Sequence, residues 1–148
     1  MSKSFNEWVK DCQQRVEVAA GELLPPTDLE PKILHEAMRY SVIGGGKRVR
    51  PLLVYAVSEL FGADEHNADR VALAIECVHS YSLIHDDLPC MDNDMLRHGK
   101  PTTHAKYGEA MAMLAGDALQ PEAFIYISET TLNPHQKLVL ISLLADAA

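Results

Sequence analysis

Apolar residues recur along most of this chain at three- and four-residue intervals, and nothing alternates with period two for long enough to make a convincing strand. The pattern therefore predicts an all-α helical bundle. Phe5, Trp8, Val9, Cys12, Val16 and Leu23 fall on one stripe, opened by a capping box of Ser4 with Glu7 and stopped by Pro25 and Pro26. A second box, Thr27 with Glu30, predicts a helix carrying Pro31 in its first turn, running to Ile43 and ending at Gly44, Gly45 and Gly46. Further helices are expected from Pro51 to Phe61, closed by Gly62, and from about Asn67 to His85. An acidic stretch ending near Lys100 then forms the main loop. Beyond it, from Thr102 or Thr103, a long helix holds the small residues of EAMAMLAGDAL, which permit close helix packing, with a kink expected at Pro121. Asn133 and Pro134 start a last helix by the N-cap and first-turn rule.

In that last helix Leu138, Val139, Leu140, Ile141, Leu143 and Leu144 cover nearly the whole circumference, which suits a helix buried on all sides. No C-cap glycine ends it. Residues 1–148 are accordingly expected to be one portion of a larger helical domain.

Composition narrows the function classes. At 148 residues, with 47% hydrophobic and 23% charged residues, the chain has the makeup of a globular domain with a real core. A formal charge of −8 argues against a nucleic-acid surface, so any polyanion site must be local. Cys12, Cys77 and Cys90 make an odd number without CxxC spacing, which indicates neither a disulfide framework nor zinc; reduced thiols in the cytoplasm are the expectation. The first residues lack the apolar run of a signal peptide, and no run of about 18 apolar residues predicts a bilayer span.

The sharpest chemical feature is HDDLPCMDND, with Asp86, Asp87, Asp92 and Asp94 gathered at the C-terminal end of a long helix. That end is the unfavourable pole of the helix dipole for carboxylates, so the cluster costs stability unless a cation compensates. Two readings stand at this point: a site for a hard divalent ion such as Mg²⁺, or a solvated acidic loop. The spacing does not match an EF-hand. His79 precedes Asp86 by seven residues, two helical turns, with Ser82 between them on the same face. A lone helical histidine is more often a hydrogen-bonded structural residue, but its alignment with the carboxylates favours function.

A basic counterpart lies earlier. IGGGKRVRP places Lys47, Arg48 and Arg50 between a helix end and Pro51, where glycines allow close approach of an anion and a helix N-terminus offers free N–H groups. It is not a Walker A loop. A glycine-rich C-cap followed by solvated basic residues is the competing reading. A second basic group, Arg97, His98 and Lys100, follows the acidic loop, and an arginine so close to carboxylates is commonly a salt-bridge partner.

Taken in order, GGGKRVRP, a helix ending in HDDLPCMDND, LRHGKPTTH and GEAMAMLAGDAL resemble the trans-prenyl diphosphate synthase family from about Tyr40 to Leu119. DDxxxxD, filled by Asp86, Asp87 and Asp92, resembles that family's first aspartate-rich motif in the form associated with bacterial farnesyl diphosphate synthases. The resemblance implies the N-terminal half of the isoprenoid synthase fold and a Mg²⁺-dependent prenyltransferase. In it Asp86, Asp87 and Asp92 hold the metal that clamps dimethylallyl or geranyl diphosphate, and Arg97 contacts the same group. Lys47, Arg50, His79 and His98 then hold isopentenyl diphosphate. Tyr81, five positions before Asp86, is similar to the aromatic residue that closes the product pocket, which implies farnesyl diphosphate as the product. A homodimer is also implied.

The pattern departs from the family at His98, where a second arginine is usual; histidine is only partly charged near neutrality, which implies a weaker, pH-sensitive grip. The family's second aspartate-rich motif does not occur before Ala148, so the chain alone is expected to have little prenyltransferase activity. A non-catalytic partner subunit of a complete synthase, or a synthase making geranyl or longer products, are alternatives. Terpene cyclases and head-to-head condensing enzymes share the aspartate chemistry but generally lack GGGKRVRP, so Lys47 and Arg50 weigh against them.

Overall fold

The Ser4 hydroxyl accepts the Glu7 amide while the Glu7 carboxylate accepts the Ser4 amide, and this reciprocal cap opens α1, Phe5–Leu23. The computed structural model describes residues 3–148. After α1 come α2, Lys32–Val42, α3, Val49–Leu60, and α4, Glu65–Asp86. A two-strand antiparallel ribbon of β1, Leu96–Arg97, and β2, Lys100–Pro101, interrupts the helices before α5, Thr103–Tyr107, α6, Glu109–Ser128, and α7, Pro134–Ala147. The class is all-α, with the ribbon confined to the loop after α4.

Side-chain caps open three of the seven helices of the described residues, α1 among them. Asp64 accepts the Asn67 amide at the start of α4, and Asn133 with Gln136 forms a box at the start of α7 with Pro134 in its first turn. Two expectations need correction. Thr27 and Glu30 form no box: residues 27–31 are turn and bend, and α2 begins only at Lys32. The cause is Pro31, which disfavours helical geometry in the residue before it. The helix expected to run on from Thr103 breaks into α5 and α6 at Gly108, whose φ of 84° is outside helical geometry. In α7 none of the residues is fully buried: Leu140, Ile141 and Leu144 pack against the core, while Leu138 and Leu143 remain exposed. Helix α6 carries on through Pro121 to Ser128.

The larger core joins α2, α4, α6 and α7, with Met38, Leu73, Cys77, Leu119 and Ile127 almost fully buried. A smaller one, of Cys12, Val16, Tyr55, Ala68 and Ala72, joins α1, α3 and α4. Helix α4 thus lies in both. Its closest neighbour, α6, presents Ala112, Ala115, Gly116, Leu119 and Ala123 as buried residues, the small-residue face expected for close packing.

Gly116 shows how close that packing is. A Cβ there would lie 2.2 Å from His85 Nε2 and 2.6 Å from its Cδ2. The His85 ring instead bonds the Met113 carbonyl through Nε2 at 3.1 Å and meets the Tyr81 ring edge-on, with centroids 5.7 Å apart. Gly116→Ala gains up to about 1 kcal/mol of helix propensity, but expelling the imidazole forfeits its hydrogen bond and aromatic contact, each worth about 1 kcal/mol. A net loss of about 1 kcal/mol in urea unfolding is expected. A gain in stability, as at an ordinary exposed helical glycine, would show that His85 is not held here.

Candidate active site

The basic loop is built around Arg48 rather than around its glycines. Arg48 is the N-cap of α3 with φ 56° and ψ 34°, a left-handed conformation uncommon for a side-chain-bearing residue. Its side chain is 5% exposed and reaches three helices. Nε donates to Glu17 Oε1 of α1 at 2.9 Å, Nη1 to Glu76 Oε1 of α4 at 2.6 Å, and Nη2 to the Val42 carbonyl ending α2 at 2.5 Å. Glu17 also accepts the Gly44 amide at 3.0 Å. With Arg48 turned inward, Lys47 and Arg50 on either side of it are exposed.

One turn beyond Glu76 on α4 stands His79, half-buried. Burial is the main cause that pushes its pKa below the ordinary value, the Arg50 charge is the next, and Glu76 opposes both. Burial and the Arg50 charge both favour the neutral imidazole. Ser82, on the same face, donates its hydroxyl to the His79 carbonyl at 2.8 Å.

Helix α4 ends at Asp86, and the acidic loop folds back on that end. The Asp92 amide donates to the Asp86 carbonyl at 2.8 Å and the Asp94 amide to the Asp87 carbonyl at 3.1 Å. Two more bonds hold the Asp94 carbonyl from the far side: the Thr102 hydroxyl donates to it at 2.7 Å, and His104 Nε2 lies at the same distance. The carboxylates of Asp86 and Asp92 are exposed. Asp87 is 3% exposed and gripped by Arg97, whose Nε and Nη2 donate to its two oxygens at 3.0 and 2.7 Å. Among the described residues, no group of three Asp, Glu, His or Cys is placed to hold a metal ion by itself.

Arg97 reaches Asp87 from the ribbon. Arg97 and Lys100 pair across it, and His98 with Gly99 makes its two-residue turn, at φ 50° and 75°. Between the ribbon, α2 and α4 opens a cleft of about 620 Å³, counting its mouth, lined by His79, Asp87, Arg97, His98 and Lys100 among others. The structure thus brings four of the expected site residues together in one cleft: His79, Asp87, Arg97 and His98. Lys47, Arg50, Asp86 and Asp92 are not among its lining residues. Tyr81 is elsewhere, partly buried against the larger core beside His85.

The order of these parts along the chain coincides with a family pattern. A model of the polyprenyl synthetase family matches residues 31–148. The chain belongs to this family. It is 46% identical over 145 residues to farnesyl diphosphate synthase from Haemophilus influenzae, covering 97% of this chain and 49% of that protein. It is also 59% identical over 102 residues to the chloroplastic geranylgeranyl pyrophosphate synthase of Capsicum annuum, covering 69% and 28% of the respective chains. Among solved structures, an FPP/GFPP synthase from Zymomonas mobilis superposes with a TM-score of 0.91 at 51% identity, covering 96% of this chain and 52% of that one. The chain thus spans about half the length, or less, of the curated relatives it matches.

Sequence reasoning had no access to two features of this polyprenyl synthetase cleft. Glu17 and Glu76 stand 31 and 28 residues from Arg48, and neither belongs to a recognisable motif. The role of Lys100 as a lining residue depends on the ribbon register, which a two-residue strand does not announce. No helix of the described residues is long and apolar enough to cross a membrane.

Proposed function

We propose that this chain provides the diphosphate-binding walls of a Mg²⁺-dependent trans-prenyltransferase that condenses isopentenyl diphosphate with dimethylallyl or geranyl diphosphate to farnesyl diphosphate. The observation that carries this reading is the single cleft in which α4 sets His79, near the basic loop, two turns from Asp87 and the acidic loop. A reaction joining two diphosphate esters needs one cationic and one metal-assisted grip side by side.

The donor chemistry fits magnesium. Asp86 and Asp92 offer exposed hard oxygens from backbones tied together by the Asp92–Asp86 bond, and Mg²⁺ is commonly held by one or two carboxylates plus substrate phosphates and waters. When bound, the ion neutralises charge on the departing diphosphate so that its carbon–oxygen bond can ionise. Lys47 and Arg50 supply charge for the second diphosphate, with His79 as a hydrogen-bonding partner. Arg97 and His98 line the same cleft. Tyr81, held edge-on by His85, closes the product pocket by the family resemblance. A longer, geranylgeranyl product is the second reading, favoured by the 59% identity to the Capsicum annuum protein; chromatography of the dephosphorylated product decides between C15 and C20.

Calorimetric titration with geranyl thiolodiphosphate, which cannot ionise readily, tests the site. Mg²⁺ is expected to tighten binding about tenfold over EDTA, the size of one charge-assisted interaction. The double variant Asp86→Asn, Asp92→Asn is expected to lose that gain. Equal binding with and without Mg²⁺ would refute the metal assignment.

A further inference from the structure

The cleft is lined by three side chains that carry a full positive charge, Arg48, Arg97 and Lys100. Two of them are spoken for: Arg48 by Glu17 and Glu76, Arg97 by Asp87. Lys100 has no carboxylate within ion-pair distance among the described residues. It is nonetheless half-buried and positioned. Its ammonium stands 5.1 Å from the centre of the Tyr40 ring, and Tyr40 is itself anchored by its hydroxyl to the Pro101 carbonyl at 2.7 Å. It also stands 3.9 Å from where a side chain at Gly44 would begin, so it lies beside the start of the glycine-rich loop.

We infer that Lys100 is a diphosphate-binding residue, the cation that completes the grip of Lys47, Arg50 and His79 on the second substrate. An unpaired ammonium half-withdrawn from water is stabilised by an anion entering the cleft, and a lysine serves as a point charge on a flexible stem that can follow phosphate oxygens. His98, beside it on the turn, is exposed to solvent, whereas Lys100 is half-buried. This inference rests on the prenyltransferase reading.

The probe is inorganic pyrophosphate titrated into the purified chain in EDTA, so that the aspartate site contributes nothing. Lys100→Gln is expected to weaken binding about tenfold, the loss of one charge-assisted contact, with Lys100→Arg near the parent. Lys106→Gln is the control: Lys106 stands 4.1 Å from the same Tyr40 ring but is exposed and does not line the cleft, so its affinity should not change. If Lys100→Gln binds as the parent does while Lys47→Gln is weakened, the inference is overturned and the broader reading stands. If the parent itself binds no pyrophosphate, both are overturned. Circular dichroism of each variant, expected to match the parent, confines the comparison to folded protein.

Discussion

Replacing Arg48 with methionine is expected to remove about 3–5 kcal/mol of stability, the cost of breaking a buried ion pair by taking one partner away. Glu76 is 5% exposed, and without the guanidinium its buried charge in the cleft wall loses its ionic partner. Glu17 keeps its bond to the Gly44 amide but loses the arginine, and the Val42 carbonyl loses its donor. Against a typical total of about 5–15 kcal/mol for a domain, this is a large fraction. The left-handed backbone at Arg48 adds its own test. A glycine there relieves that conformation yet is expected to be nearly as damaging as methionine, because the charges dominate. Converting Glu76 to methionine as well should recover part of the loss, since a neutral pair of similar volume leaves no buried charge. Urea unfolding of the three variants and the parent measures all of this. A loss below about 1 kcal/mol for Arg48→Met would mean that the network is surface-like and salt-screened.

That network also marks where sequence reading stopped. The caps at Ser4 and Asn133 were legible because they involve groups three residues apart, and short-range chemistry survives whatever the rest of the chain does. Thr27 and Glu30 had the same signature and failed, because the proline after them overrode the cap; the motif and its veto lie in the same five residues. Gly108 was harder, since a glycine inside a helical pattern is often tolerated and only the φ of 84° shows that this one is a break. For the site, the pattern located the acidic and basic loops and the helix face between them. It did not separate Asp86 from Asp87. Adjacent identical residues point about 100° apart at the end of a helix, and which one turns inward depends on Arg97, delivered by a ribbon with no sequence period of its own. It also grouped Arg48 with Lys47 and Arg50, although Arg48 binds protein and the other two face solvent.

The division of labour between Asp86 and Asp87 leads to the second large effect. Arg97→Gln is expected to destabilise the protein by about 2–3 kcal/mol in EDTA, because Asp87 loses both bonds from its only ionic partner among the described residues. The figure is smaller than for Arg48 because the Arg97 side chain is 34% exposed and water screens part of the pair. Magnesium then asks what Asp87 is for. If Asp87 belongs to the cation site, the arginine and the ion compete for the same carboxylate, and removing the arginine favours the ion. Mg²⁺ should therefore raise the unfolding free energy of Arg97→Gln more than that of the parent, since a ligand at a hundred times its Kd adds about 2.7 kcal/mol and the variant reaches that ratio at a lower concentration. An equal Mg²⁺ effect on both proteins assigns Asp87 to holding the ribbon and leaves the ion to Asp86 and Asp92. In that case the loss in EDTA persists at every Mg²⁺ concentration, so the two roles separate in one titration, without any measurement of turnover.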